Sequence, residues 1–159
     1  MANEVIAKVE HDYGGQGSIP QYAVKLDGFV GLSAAASETV CSYAESPFDE
    51  DMVILEVYMC VTTGDATGSA DFDIGLADKA DGTNNDDSLF NAPTAYSAAG
   101  VLEGLAVHAI TGRANPIWKA KDSATDSFVV AQQNGNVDAS DLVYNLLLIC
   151  APYAKFKAT

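Results

Sequence analysis

The chain has little positive charge: eight lysines and arginines stand against 22 aspartates and glutamates, for a formal charge of −14 over 159 residues. Such a field repels phosphate backbones and anionic lipid headgroups, so neither nucleic acid nor a membrane is expected as a partner. Histidine is scarcer still: His11 and His108 are far apart, with no motif around either, and no catalytic acid–base pair follows from them. Cysteine is limited to Cys41, Cys60 and Cys150, without the CxxC spacing of a zinc or redox site. No apolar run approaches the roughly 18 residues of a membrane-crossing helix. The opening stretch, Met1 to Lys8, lacks the long apolar segment and cleavage pattern of a secretory signal. Ser33 sits in Gly31-Leu32-Ser33-Ala34-Ala35, which lacks the GxSxG glycine that allows a nucleophile elbow. Neither GxGxxG nor a GK[ST] phosphate loop occurs. The chain is therefore expected not to be an enzyme, with no catalytic, cofactor-binding or metal-ligating residue assigned.

What is present supports one packed domain. Hydrophobic residues make up 48% of the chain and charged residues 19%, apolar enough for a single core and too interrupted by apolar runs for a disordered acidic chain. Cys60 and Cys150 fall in the two most apolar segments, so the cysteines read as buried free thiols of a reducing compartment, with a Cys60–Cys150 disulfide as the alternative. Charge is uneven. Residues 45–87 hold twelve carboxylates against Lys79 alone, whereas Arg113, Lys119, Lys121, Lys155 and Lys157 all lie beyond position 110. Charge of one sign keeps a protein soluble and would also orient it toward a basic surface.

Period-two alternation dominates the pattern. Tyr22, Val24 and Leu26 alternate with Ala23, Lys25 and Asp27, predicting a first strand. Residues 32–38 are alanine-rich enough for a short helix and equally suit a loop leading into a strand over 39–43. The strongest strand is 52–62, with Val53, Leu55, Val57, Met59 and Val61 on one face and Ile54, Glu56, Tyr58, Cys60 and Thr62 on the other. Both faces are largely apolar, so an inner strand is expected. Residues 70–76 turn Phe72, Ile74 and Leu76 inward, and the two strands form a hairpin-like unit in this reading. A long polar connection follows over 77–99, with Ser88-Leu89-Phe90 as an apolar anchor. Weaker strands are expected over 104–109, 116–119 and 127–132, then a turn at Asn134-Gly135 and a central strand over 142–151 ending at Pro152. Seven or eight strands without repeated helices predict an all-β fold, an antiparallel β-sandwich or jelly roll. The glycine-rich piece Tyr13 to Ser18 makes residues 1–18 an N-terminal arm, flexible or extended, ahead of a single β-sandwich domain over 19–159.

Carboxylates are the one chemical resource in supply. Asp71 and Asp73 share a strand face as an acid–base pair would, and equally as the wet face opposite Phe72 and Ile74. Asp78, Asp81, Asn84, Asn85, Asp86 and Asp87 offer hard oxygen ligands in one loop, but not in EF-hand order and without its closing glutamate. A solvated loop is the simpler reading. For a carbohydrate-binding or host-adhesion module, Tyr43, Tyr96 or Trp118 would have to form an exposed aromatic platform.

Several pieces resemble small head proteins of tailed bacteriophages. They are Val57-Tyr58-Met59-Cys60-Val61-Thr62-Thr63, Ala70-Asp71-Phe72-Asp73-Ile74-Gly75, Asp86-Asp87-Ser88-Leu89-Phe90, Ala99-Gly100-Val101 and the apolar strand from Leu142 to Tyr153. The likeness covers roughly residues 50–153. It implies a capsid decoration or cement protein, a β-sandwich or jelly-roll subunit made in the host cytoplasm. Its place is the outer surface of the virion, bound to the major capsid protein, as a homo-oligomer that is often a trimer. No family site residue maps onto a numbered position here.

Overall fold

The structure, a computed structural model, describes residues 2–12, 19–33, 39–64, 71–90, 100–103, 116–134 and 138–157. Among these are ten strands and one short 3-10 turn over Tyr153–Lys155, and the fold is all-β. The strands are β1 (Asn3–Glu4), β2 (Ala7–Asp12), β3 (Tyr22–Val30), β4 (Thr39–Glu45), β5 (Met52–Thr63), β6 (Asp71–Ala77), β7 (Gly100–Glu103), β8 (Ile117–Trp118), β9 (Phe128–Asn134) and β10 (Val143–Pro152). Two sheets result. The smaller runs β1-β4-β9-β6, and the larger runs β2-β3-β10-β5-β7, with β8 also paired to β5. Every pairing is antiparallel except β1 with β4.

Alternation fixes which side of each strand is dry. In β6, Phe72, Ile74 and Leu76 are buried as expected. In β10, Tyr144, Leu146, Leu148 and Cys150 are buried and stand opposite Val61, Met59, Val57 and Ile54 of β5. The expected face of β5 needs one correction. Ile149 pairs with Glu56 and Cys150 with Ile54, so Leu55 is an extra residue, and the parity of the strand flips there. Met52 and Ile54 therefore point into the core on one side of this bulge, and Val57, Met59 and Val61 on the other. A one-residue insertion exchanges faces because the side-chain period is two.

A second correction concerns partners. The strands over 52–63 and 71–77 do not form a hairpin: β5 lies between β10 and the β7/β8 flank in the larger sheet, while β6 pairs with β9 in the smaller. Their dry faces meet in one core, where the Phe72 ring of the small sheet lies 6.1 Å from that of Tyr144 in the large one. Phe29 of β3 packs edge-on to the same tyrosine at 5.6 Å. Crossing from sheet to sheet hides both apolar faces at once, which a lone hairpin cannot do.

Buried polar groups are tied to the backbone. The Gln133 side chain, fully buried, accepts the Leu32 N–H at 2.9 Å and donates to the Leu32 carbonyl at 3.3 Å, fixing the chain as it leaves β3. Ser42 Oγ accepts the Val30 N–H at 3.0 Å and joins the sheets from the other side. Within the expected arm, residues 3–4 and 7–12 run as strands paired with this chain's own β4 and β3. Val5, at the corner between them, is buried, and its N–H donates to the Tyr43 carbonyl at 2.7 Å. The strand expected over 104–109 lies outside the described residues, and that over 100–103 was not anticipated.

Candidate functional site

The acid-rich loop after β6 is organised around its own amides. Asp86 Oδ1 accepts the N–H groups of Leu76 and Ser88 at 2.8 and 3.0 Å. Asp81 Oδ1 accepts the Thr83 N–H and hydroxyl at 2.9 and 2.5 Å, and those bonds hold its carboxyl below the ordinary value. Asp78 accepts the Asn84 amide at 2.7 Å and the Asp126 N–H at 3.1 Å. Asn85 donates to Gln132 at 2.6 Å. Asn84, Asp87 and Gly82 adopt positive φ of 59°, 51° and 82°, conformations that short polar residues and glycine tolerate best. These oxygens cap a tight loop, and among the described residues no group of three or more His, Cys, Asp or Glu side chains is placed to hold a metal. Leu89 and Phe90 are buried as the expected anchor, and Phe90 bridges back to Ile74.

The remaining sequence candidates disperse. Asp73 is half-buried and accepts a hydrogen bond from the Asn134 side chain, while Asp71 stands opposite Asn134 in the strand register. His11 lies on β2 opposite Ala23, and His108 falls outside the described residues. Ser33 is exposed. All three cysteines are free thiols. Cys41 and Cys150 are buried, and burial pushes each thiol up to about 12. Cys60, expected to be buried, is only half-buried, because it follows the parity of Glu56 and Tyr58 on the outer side of the sheet. The alternative Cys60–Cys150 bridge is absent: Cys60 pairs with Asn145, and Cys150 pairs with Ile54 at the far end of the strand.

Of the rings expected to form a platform, Trp118 is fully buried and its Nε1–H donates to the Ser127 carbonyl at 3.0 Å. An indole is amphipathic enough to suit either a surface or a core with one acceptor in reach, and here the core holds it. Tyr43 is half-buried and packs edge-on to Phe128 at 6.2 Å. Tyr96 lies outside the described residues.

The late basic residues converge partly on one end. Lys119 pairs with Asp51 at 3.0 Å, the Lys121 N–H donates to the Phe48 carbonyl, and the Tyr153 N–H donates to the Asp51 carbonyl. The Lys157 ammonium sits 4.8 Å over the Tyr153 ring. Burial opposes ionisation of Asp51, but Lys119 and the Ala120 N–H override it and hold the carboxyl below its ordinary value.

Exposed apolar side chains recur on and beside one edge strand. Ile6 at 75%, Val9 at 46% and Ile19 at 42% are three of the five large apolar side chains exposed among the described residues. Ile6 precedes β2, Val9 belongs to it, and Ile19 leads into β3 beside it. Val9 stands opposite the buried Val24, so it continues a core-facing row past the point where the smaller sheet covers it. The signal was present in the sequence, where Ala7 and Val9 alternate with Lys8 and Glu10. The glycines over 14–17 masked it by making the whole segment read as an arm.

No protein-family model, no curated protein and no solved structure matches the chain.

Proposed function

We propose that this chain is a structural protein of a tailed-bacteriophage head, a decoration or cement subunit of jelly-roll type that binds the major capsid protein from outside and stabilises the shell. The observation that carries the reading is the apolar edge at Ile6 and Val9, left exposed on a chain whose charge otherwise favours water. Apolar side chains left exposed beside an open strand edge can serve as a docking surface. The pieces that resemble phage head proteins support it from the sequence. They fall on β5, β6, the Leu89–Phe90 anchor and β10, the strands that build the common core.

A subunit of this kind works by linkage. It binds the assembled lattice and not separated capsomers, so it lowers the free energy of the lattice, and several copies bound together add avidity. The test is sedimentation of the purified protein with heads of the virus that encodes it, stripped of this chain. Saturable binding at a fixed number of copies per head, together with DNA retention to higher temperature, is expected. Heads that sediment without the protein at every concentration would remove the proposal.

A further inference from the structure

The outer strands of the two sheets are unequal. At one edge of the smaller sheet β1 is two residues long. At the other, β6 is bridged from Ile74 to Phe90 by two backbone bonds of 2.8 Å. The β5 flank of the larger sheet is broken into β7 and β8, of four and two residues. The opposite edge of that sheet is β2, with six residues, and among the described residues no strand pairs with its outer side. A row of open N–H and C=O groups is a template for another strand, so proteins shorten, cover or interrupt the edges not meant for use. The one irregularity of β2 is a register shift against β3 between Val9 and His11. An edge left open beside the exposed Ile6 and Val9 suits an occupant that is itself an extended strand.

The two faces of β2 specify what that strand carries. Ala7 and Val9 stand opposite Leu26 and Val24, both buried, and belong to the core side of the sheet. Lys8 is exposed on the other side, opposite Lys25. Like charges directly opposite destabilise a strand pair, and the Lys25 ammonium is already shared with Asp27 at 2.9 Å. A carboxylate set against Lys8 from beyond β2 offsets that opposition, and an apolar side chain set beside Val9 continues the dry row from Val24. Neighbouring side chains of an extended chain alternate between faces. A strand that does both therefore carries acidic and apolar residues in alternation.

We propose that β2 takes an extended segment of the major capsid protein, with acidic and apolar residues in alternation, as a further strand at the edge of the larger sheet. The inference rests on the capsid role proposed above and names how that contact is made. Backbone bonds hold the strand, Val9 packs beside its apolar residue, and Lys8 selects its acidic one. Within the chain Lys8 stands opposite Lys25, so Lys8→Glu replaces a like-charge opposition by an attractive one and leaves the fold intact. Across the new edge the same change sets carboxylate against carboxylate.

Two measurements on the full chain with the stripped heads test this. In sedimentation, Lys8→Glu should bind at least about tenfold more weakly than wild type, the effect of roughly 1.4 kcal/mol, whereas Lys8→Arg should bind like wild type. Melting curves and circular dichroism verify that each variant is folded. Hydrogen exchange needs no variant: on binding to heads, the alternate amides of β2 that face away from β3 should become protected. Wild type that binds heads while Lys8→Glu binds equally well, or while those amides exchange as fast as in the free protein, overturns the edge pairing and leaves the capsid role standing. Heads that take up no wild type overturn both. Outward β2 amides already protected in the free protein, at a mass above the 16.6 kDa of one chain, assign the edge to a second copy and overturn the proposal as well.

Discussion

Gly75 sits in the middle of β6 opposite Val130, at the point where the acid-rich loop folds back over the strand. A Cβ added there would lie 2.5 Å from the Asp87 backbone nitrogen, 2.6 Å from Asp86 Oδ1 and 2.7 Å from Asn85 Oδ1. Gly75→Ala therefore forces the backbone of the loop away from the strand, and Asp86 cannot yield alone because its Oδ1 is bound to the Leu76 and Ser88 amides. Overpacking of this kind costs about 1–3 kcal/mol. Removing a glycine from the unfolded chain returns about 0.4–1 kcal/mol. The net is a destabilisation of about 1–2 kcal/mol, and at this chain length that lowers Tm by about 2–8 °C. Amide exchange should accelerate at Leu76 and Ser88 in particular. Gly100→Ala is the control, since nothing lies within 4 Å of its added Cβ. If Gly75→Ala melts no lower than Gly100→Ala, the loop moves freely and the argument that it is braced by its carboxylates fails.

Two further outcomes follow from the buried and charged groups. Burial, then repulsion from Asp86 and Asp78, holds the Asp126 carboxyl above its ordinary value despite Lys119. A group whose folded pKa is raised favours the fold below its unfolded pKa and loses that contribution as pH rises through the folded one. Asp126→Asn should thus melt higher than wild type at neutral pH, with the gap closing as pH falls below the ordinary carboxylate range; the φ of 49° suits asparagine equally well. A melting point unchanged at neutral pH would show that the repulsion is relaxed by solvent. Thiol titration at neutral pH should modify Cys60 in the folded protein and reach Cys41 and Cys150 only on unfolding, since burial pushes both up to about 12. Equal rates at all three thiols would contradict the placement of Cys60 as the accessible one.

The strands were legible wherever one face is dry and the period is unbroken. Phe72, Ile74 and Leu76 were assigned inward from alternation alone, and they are. Their partner was not legible, because β6 pairs with β9, more than fifty residues further along the chain, and no local pattern records which of several apolar strands will meet. The inner position of β5 could be read from its two apolar faces. Its bulge at Leu55 could not, since an inserted residue leaves composition and hydropathy unchanged while exchanging every side chain beyond it. Trp118 was offered as a surface ring because its chemistry allows that; only the Ser127 carbonyl, brought within reach by β9, decides for the core. The edge at Ile6 and Val9 escaped notice because six residues of strand next to a glycine-rich stretch look like an unstructured end.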